Sequence, residues 1–331
     1  MELRRTRAIK RSYRESDDDD DDRGDKKKET ERDVSLLSYA ERLQPIADKG
    51  LCGDAELEEE VAAVDEKARQ VARLIAGSKY CVVLTGAGIS TAEPASISDF
   101  RGPNGVWTCE KEGRTVPPSP RSMDDAKPTR THEAIARLVT RGLVAHVVTQ
   151  NIDALHLRAK MDVTAVPRAR LSEVHGTAYA LFCVACAVET RLAHMVDSIG
   201  LRPVAAVCRT CRAPLCDRLC DWDSPLPDGE INRAISELKK ADLLLVVGSS
   251  MRIRPVGLWP RYTLKAGGKL VVINLQNTHL DKKSHVRIFA KSDQVFDGIM
   301  DELDFEEPTA LNPPELNTRA TNQIPEPVKN I

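Results

Sequence analysis

The sequence predicts an α/β protein built on a doubly wound parallel sheet, with a smaller domain that binds zinc. Three observations lead to this prediction: short aliphatic runs alternate with helical patterns, a glycine loop follows the first run, and two C-x-x-C pairs lie further along the chain. Alternating strands and helices are typical of parallel sheets covered by helices on both faces. The chain has 331 residues, which is long enough for one large domain with a smaller one embedded in it.

The spacing of apolar residues places the main elements. An amphipathic helix that ends with Gly77 as its C-terminal cap is predicted from Val61, Val64, Ala68, Val71 and Ile75. A buried strand, Tyr80–Leu84, follows and runs directly into the glycine loop. Further strands are predicted at His146–Thr149, Leu243–Val247 and Leu270–Asn274, and further helices at Thr131–Arg141 and Asp228–Lys240.

Both ends of the chain are predicted to be tails. Residues 1–55 combine a basic start with six consecutive aspartates, Asp17–Asp22, and have too little apolar surface to offset the entropy of ordering them. The basic start could be a nuclear import signal or a nucleic-acid contact, or only a solvated charged tail. Residues 308–331, with prolines and polar residues, form the second predicted tail, which leaves 56–307 as the folded region.

Composition limits the classes of function. The formal charge is -2, from 48 basic and 50 acidic residues, so the chain as a whole has no bias toward nucleic acid or membranes. The longest aliphatic run, Leu243–Val247, is too short to cross a bilayer, and the basic start contains no apolar stretch of signal-peptide length. We therefore expect a soluble, intracellular protein with no membrane partner.

Nine cysteines in such a chain favour thiolate ligands over disulfide bonds. Four thiolates complete tetrahedral zinc, and two C-x-x-C pairs supply them: Cys183 and Cys186, then Cys208 and Cys211. We expect a closed structural site in a small domain at about 177–222, with no position for an activating water. Either Cys216 or Cys220 could replace one of these ligands, whereas a redox role is disfavoured because no thioredoxin-like pattern surrounds the pairs.

Polar or glycine-containing loops follow the predicted strands. Gly86-x-Gly88 lets a backbone approach a pyrophosphate, although Thr91 replaces the third glycine of a full dinucleotide fingerprint. The next segment supplies an acid, a cation and two aromatic rings, at Asp99, Phe100, Arg101 and Trp107. Later strands are followed by Gln150, Asn151 and Asp153, by Gly248, Ser249 and Ser250, and by Asn274 and Gln276. Because parallel strands end at one edge of a sheet, these loops outline a crevice of dinucleotide size.

His175 is a candidate for proton transfer. The unperturbed pKa of histidine suits proton transfer near neutral pH. Most of the seven histidines should be surface or packing residues, so residue type alone gives His175 no catalytic role. Whether His175 has a catalytic role therefore depends on its position relative to the crevice.

Taken in order, the strings GAGIST, DFRGPNGVW, QNID, HG, the two C-x-x-C pairs, GSS and NLQ resemble the sirtuin family over about residues 60–305. GPNGVW, DWDSPLP, IRP and NLQNT are similar to the nuclear subgroup that includes human sirtuins six and seven. The resemblance implies a Rossmann-like large domain, a zinc-bearing small domain, and an acyl-lysine peptide bound between them opposite NAD. It assigns NAD binding to Gly86, Ala87, Gly88, Thr91, Asp99, Phe100, Arg101, Trp107, Gln150, Asn151, Asp153, Gly248, Ser249, Ser250, Asn274, Gln276 and Ser292.

The resemblance also implies an NAD-dependent protein-lysine deacetylase or deacylase, with His175 as general base and Asn151 as a second catalytic residue. The acyl oxygen attacks C1′ of the nicotinamide ribose, nicotinamide leaves, and His175 then enables a ribose hydroxyl to attack the imidate. The products are lysine, nicotinamide and O-acetyl-ADP-ribose, so NAD is consumed. A pKa near the operating pH is expected for this base.

The substrates implied are acetylated histones or other nuclear proteins, with chromatin association through the basic N-terminal tail. A nuclear location is expected, and otherwise a cytoplasmic one. Two other functions stay open: a catalytically weak or silent NAD- and zinc-binding chromatin module, and a protein mono-ADP-ribosyltransferase. A dehydrogenase is disfavoured because the full dinucleotide fingerprint with its spaced acidic residue is missing.

The chain departs from the family pattern at three places, one of which is a stretch between His156 and His175 that is a few residues longer than usual. In GAGISTAEPASISDFRG, Glu93-Pro94 looks inserted and Ser98 replaces the proline before Asp99, so a longer, less rigid loop could slow catalysis. Ala154 replaces a common glycine after QNID and is strained if its φ angle is positive.

Overall fold

The computed structural model describes residues 42–44, 48–117, 119, 121–158 and 165–303. Chain contacts divide the protein into two units, Met1–Leu36 and Leu37–Ile331, and every described residue lies in the second. The predicted C-terminal tail at 308–331, and residues 1–41 and 45–47 of the predicted N-terminal tail, therefore lie outside the described residues.

Six parallel strands form the sheet of the large domain, and four antiparallel strands form the sheet of the small domain. In chain order the strands are β1 (Cys81–Thr85), β2 (His146–Thr149), β3 (Leu171–Glu173), β4 (Gly176–Cys183), β5 (Glu189–Arg191), β6 (Pro203–Val207), β7 (Pro214–Leu219), β8 (Leu243–Val247), β9 (Lys269–Ile273) and β10 (Val286–Ile288). The large sheet has the order β10-β9-β8-β1-β2-β3, and the small one has the order β5-β4-β7-β6.

Helices cover both faces of the large sheet. They are α1 (Val61–Gly77), α2 (Val106–Lys111), α3 (Arg130–Thr140), α4 (Asp228–Lys240), α5 (Pro260–Lys265) and α6 (Ser292–Glu302). One core includes Val71 of α1, Ile135 of α3 and Phe296 of α6, and a second core includes Leu238 of α4. Because both faces are covered, all residues of β1, β2 and β8 are buried. The predicted α/β fold class is confirmed.

The predicted cap of the first helix is wrong. Gly77 is the last residue of α1, and Ser78 is the capping residue, whose backbone N–H donates to Ile75 O at 3.2 Å. The φ angle of Gly77 is not positive, so the position does not need glycine.

The register of the parallel strands places their last residues side by side. The last residues pair across the sheet as Glu173↔Thr149, Thr149↔Thr85, Thr85↔Val247, Val247↔Ile273 and Ile273↔Ile288. The segments that follow these strands therefore start at one edge, where open α/β sheets bind ligands.

The small domain is inserted after β3, since β4 begins immediately beyond His175. Among the described residues, no helix is both long and apolar enough to span a membrane.

Three buried histidines make stability depend on pH. Burial lowers the pKa of His132 to about 3, of His146 to about 4 and of His156 to about 3. As the pH falls, all three histidines are protonated in the unfolded chain before they are protonated in the folded one. Their contribution to the free energy of unfolding is therefore complete above about pH 6.5 and is lost as the pH falls toward 4. We expect these three histidines to lower the free energy of unfolding by about 4 kcal/mol per pH unit in the steepest part of this range, and His175, whose pKa burial lowers to about 4, to add to this slope.

Urea titrations at pH 7, 6 and 5 measure this dependence. His146→Gln, which removes one imidazole, should make the slope shallower by about 1.4 kcal/mol per pH unit. The same unfolding free energy at pH 7 and pH 5 would contradict the prediction.

Candidate active site

A cavity of about 1180 Å³ lies over the carboxyl ends of the parallel strands. Segments that follow β1, β2, β8, β9 and β10 line it, together with His175 and Trp222. Every residue predicted to bind cofactor lines this cavity except Asp153. The structure therefore brings the predicted loops together in one place.

The two glycine loops pack directly on each other. A Cβ on Gly88 would lie 2.9 Å from Gly248 Cα, and one on Gly248 would lie 2.6 Å from Ile89 N. Gly248 also has a φ angle of 60°, which disfavours other residues. These glycines are thus required by the close approach of two protein backbones, whereas the sequence had suggested only an approach to pyrophosphate.

Gln150 joins the loop after β2 to the loop after β8. Its Nε2 donates to Ser249 Oγ at 2.7 Å and to Thr85 O at 3.3 Å. These bonds fix the side chain of Gln150 across the ends of three neighbouring strands. The side chain lies at the floor of the cavity and has its amide oxygen left for a ligand.

Asn151 and Asp153 are linked through Ser90, which the sequence analysis did not select. Ser90 Oγ donates to Asp153 Oδ2 at 2.8 Å and accepts from Asn151 Nδ2 at 3.2 Å. The other oxygen of Asp153 accepts from Leu155 N at 2.9 Å. Asp153 is buried and has both oxygens occupied, so it holds Ser90 and Asn151 in place, and it does not line the cavity. Asp153 thus lies behind Ser90 and Asn151, and its predicted contact with a cofactor stays a prediction.

His175 lines the cavity with a defined tautomer. Its Nδ1 lies 3.1 Å from Gln150 O, and because a carbonyl only accepts, Nδ1 carries the proton. Nε2 then carries the lone pair, and it has no hydrogen-bond partner among the described residues. Burial lowers the pKa of His175 to about 4, against a smaller opposite effect of the Gln150 carbonyl. The expected pKa near neutrality is wrong for this structure, but the imidazole is neutral at physiological pH and can accept a proton.

Aromatic rings and a cation enclose one side of the cavity. The guanidinium of Arg101 lies 4.4 Å from the ring centroid of Trp107, which packs between Phe100 and Trp222 at 4.5 and 5.0 Å. Arg101 Nε, Trp107 Nε1 and Trp222 Nε1 are buried without a partner in the described part of the chain. Buried donors are rarely left unpaired, so these atoms indicate that a polar ligand completes the site.

The loops after β9 and β10 form the other end of the cavity. Asn274 Nδ2 donates to Gln276 O at 2.9 Å, and Gln276 Nε2 donates to Asp54 O at 2.7 Å and to Arg101 O at 3.1 Å. Ser292, at the start of α6, accepts from Thr131 Oγ1 at 3.0 Å. Gln276 therefore joins the two ends of the cavity through Arg101.

Residues 48–54 contact the site, although the sequence analysis placed them in the charged tail. Arg101 Nη2 donates to Lys49 O at 3.0 Å, Gly53 N donates to Arg101 O at 3.1 Å, and Asp54 forms an ion pair with Arg252. Gly50 and Gly53 have φ angles of 73° and 76°. Gly50 and Gly53, eleven and eight residues before Val61, were the sequence signal of these turns.

The four predicted cysteine ligands converge. The Sγ atoms of Cys183, Cys186, Cys208 and Cys211 all lie within 4.8 Å of one another. The backbone N–H of Cys211 lowers the pKa of Cys208 to about 6, and that of Cys186 lowers the pKa of Cys183, which favours thiolates at these two positions. The neighbouring sulfur atoms raise the pKa of Cys186 and of Cys211. Neither Cys216 nor Cys220 belongs to this cluster, so the alternative ligand sets are excluded. Four thiolates in this arrangement fit zinc and leave no open position.

The departure at Glu93-Pro94 and Ser98 lies at the edge of the cavity. Glu93 and Ser98 line it, and Ser98 Oγ lies 3.0 Å from Ser119 Oγ. Ala154 has a φ angle of 56°, so the expected strain at this position is confirmed.

The fold and site together define a doubly wound α/β protein with a ligand cavity over the centre of its sheet and an inserted four-cysteine domain. The family model for the Sir2 family matches residues 118–255. The NAD-dependent protein deacetylase Sirt6 of Drosophila melanogaster is 38% identical over 280 residues, covering 82% of this chain and 86% of that protein. The chain belongs to the Sir2 family.

Other relatives agree with this assignment. The NAD-dependent protein deacetylase SRT1 of Arabidopsis thaliana is 40% identical over 274 residues, which cover 82% of this chain and 56% of that protein. The chain thus spans about half the length of this plant relative. A solved structure described as "Sir2-p53 peptide-NAD+" is 28% identical, has a TM-score of 0.53, and is matched over 70% of this chain and 97% of its own.

Ala154→Gly should stabilise the protein. Alanine in the left-handed region destabilises the folded state by about 1 kcal/mol. Glycine removes most of this strain, but it also raises the entropy of the unfolded chain, which offsets part of the gain. We expect a gain of about 0.5 kcal/mol in urea unfolding. Ala92→Gly, at a position without positive φ, serves as the control and should not stabilise. A loss of stability in Ala154→Gly would contradict the inferred backbone strain at Ala154.

Proposed function

We propose that this chain is an NAD-dependent protein-lysine deacylase that releases lysine, nicotinamide and O-acyl-ADP-ribose, with acetyl-lysine as substrate. The observation that carries the proposal is His175, whose neutral imidazole lines the cavity with its Nε2 unpartnered. Relatives named NAD-dependent protein deacetylases support the same reaction.

The cavity fits NAD in size and in polar groups. It spans loops on both sides of β1, so one nucleoside can lie over the loops after β2 and β3 and the other over the loops after β8, β9 and β10. The unpartnered nitrogens of Arg101 and Trp107 add donors inside the cavity. We assign NAD binding to the predicted residues that line the cavity, and to Asp153 an indirect role through Ser90 and Asn151.

His175 is the proposed general base. When bound, NAD supplies the ribose that receives the acyl group. Nε2 of His175 accepts a proton from a ribose hydroxyl, while Nδ1 keeps its bond to Gln150 O and holds the ring. Asn151, fixed by Ser90, is the proposed second catalytic residue and orients the ribose by hydrogen bonding. The buried aromatic side near Trp107 excludes water.

We assign Zn²⁺ to Cys183, Cys186, Cys208 and Cys211 as a structural ion. All four cysteines lie in the small domain, Cys183 at the end of β4 and the others in the loops beyond the strands, and none lines the cavity. The ion would therefore stabilise the small domain and take no part in the reaction.

The proposed substrates are acetylated histones or other nuclear proteins, and the proposed location is the nucleus. The similarity to the protein named Sirt6 and to human sirtuin-7, which is 36% identical over 255 residues, supports this choice. The basic N-terminal stretch is a candidate for chromatin association, and it lies outside the described residues.

Incubation with NAD and an acetylated histone peptide tests the reaction. We expect O-acetyl-ADP-ribose by mass spectrometry from the wild type, and at least a hundredfold less from His175→Ala, because general-base catalysis contributes roughly 10²- to 10⁴-fold. His194→Ala, at an exposed position of the small domain, should retain wild-type activity.

Product from both the wild type and His175→Ala, or from neither, would contradict the catalytic assignment. ADP-ribose attached to the peptide would instead favour a mono-ADP-ribosyltransferase. NAD binding without any product would favour the silent chromatin module.

Zinc is tested separately. Cys183→Ser should lose about one zinc ion per chain by atomic emission and should unfold at lower temperature, because four-coordinate zinc contributes to folding free energy. Cys216→Ser, outside the cluster, is the matched control and should keep its zinc. A fully metallated, equally stable Cys183→Ser would refute the ligand assignment.

A further inference from the structure

Side chains complete the outer edge of β3, the strand that leads to His175. β3 pairs with β2 on one side and is the last strand of its sheet. On the other side, Arg168 and Arg233 donate to Leu171 O at 2.8 and 3.0 Å, and Glu230 accepts from Glu173 N at 3.1 Å. Two guanidinium groups and a carboxylate thus take the place of a neighbouring strand.

Glu230 is buried at the start of α4 and bonds to two arginines. Its side chain is 3% exposed, and its Oε1 lies 2.5 Å from Arg168 Nη2 and 3.3 Å from Arg218 Nη2. Burial alone would raise the pKa of Glu230, but the hydrogen-bonded Arg168 brings it below its ordinary value. The carboxylate is therefore charged at neutral pH and accepts from Glu173 N more strongly than a neutral group would.

The ion pairs continue into the small domain. Arg191 pairs with both carboxylate oxygens of Glu173 and lies 2.9 Å from Glu189, and Arg218 lies 2.5 Å from Glu189. We call these six residues the Glu230 ring: Arg168, Glu173, Glu189, Arg191, Arg218 and Glu230. The ring joins α4 and β3 of the large domain to β5 and β7 of the small one.

The backbone of Arg218 also lies against the residue after His175. A Cβ on Gly176, whose φ angle is 77°, would lie 1.9 Å from Arg218 O. Two residues after Arg218, just beyond the end of β7, Cys220 N donates to His175 O at 3.3 Å. The ring therefore holds the chain on both sides of His175, through Glu173 before it and Arg218 after it.

We propose that Glu230 is a positioning residue for His175, acting through the Glu173 N–H and Arg218. Glu230 does not line the cavity, so it has no direct contact with a ligand there. Loss of its charge leaves the half-buried guanidinium groups of Arg168 and Arg218 less well paired and weakens the hold on β3. A displacement of about 1 Å at a reacting group can lower a rate by 10²-fold. The inference rests on the proposed function for its kinetic consequence, but not for its effect on the His175 ring.

Glu230→Gln tests the proposal in the full-length protein. We expect kcat about tenfold below wild type, KM for NAD within twofold, and one zinc per chain. We also expect shifted His175 side-chain signals in long-range ¹H–¹⁵N NMR, assigned with His175→Ala. Glu237→Gln is the matched control, because Glu237 lies on the same helix and pairs with Lys240 and Tyr80, away from β3. It should leave kcat and the His175 signals unchanged.

Glu230→Asp is the second variant, in case Glu230→Gln does not fold. It keeps the charge but shortens the side chain, so we expect a smaller loss of kcat, about threefold, with a His175 shift in the same direction. Unchanged His175 signals in the folded Glu230 variants, or a kcat equal to that of Glu237→Gln, would overturn the proposal. If the wild type has no deacylase activity, the proposed function fails, and the His175 signals alone decide whether Glu230 positions the ring.

Discussion

The site depends on the register in which β1 pairs with its parallel neighbours β2 and β8. Thr85 pairs with Thr149 on one side and with Val247 on the other, so three loops leave the sheet at the same height. Only then can Gly88 meet Gly248 and Gln150 reach Ser249. A slip of one residue in a strand would turn buried aliphatic side chains and loop residues to the wrong side. The register of the strands thus determines where the cavity forms, and the loops then line it.

The sequence was informative where one local pattern determines the structure. The aliphatic run Leu243–Val247 predicted a strand with the observed bounds, and the predicted strands Tyr80–Leu84 and Leu270–Asn274 differ from the observed ones by one residue at each end, because strands buried on both faces have few other compositions. The two C-x-x-C pairs predicted a cluster that does form, because each turn brings its own two sulfur atoms together. The polar loops were placed correctly for the same reason, since they directly follow these strands.

Features that depend on contacts between distant segments could not be predicted in this way. Ser90 links Asn151 to Asp153, and nothing in its own neighbourhood indicates that role. The pKa of His175 depends on its burial, which residue type does not reveal. Residues near Asp54 have a charged composition typical of tails, yet their backbone contacts Arg101 and Gln276. The partners of Ser90 and of Asp54 are more than forty positions away in the chain, and the burial of His175 depends on the packing of the whole site.

The small domain leaves and rejoins the large one at a single point. Gly176 at its beginning pairs with Leu219 at its end, and Cys220 N closes the junction on His175 O. Because the two ends are fastened to each other, a change in length between the cysteine pairs adds only a loop-closure cost that grows slowly with length. The protein can therefore acquire new surface in this region during evolution, or receive a grafted segment by design, while the sheet and the imidazole keep their places.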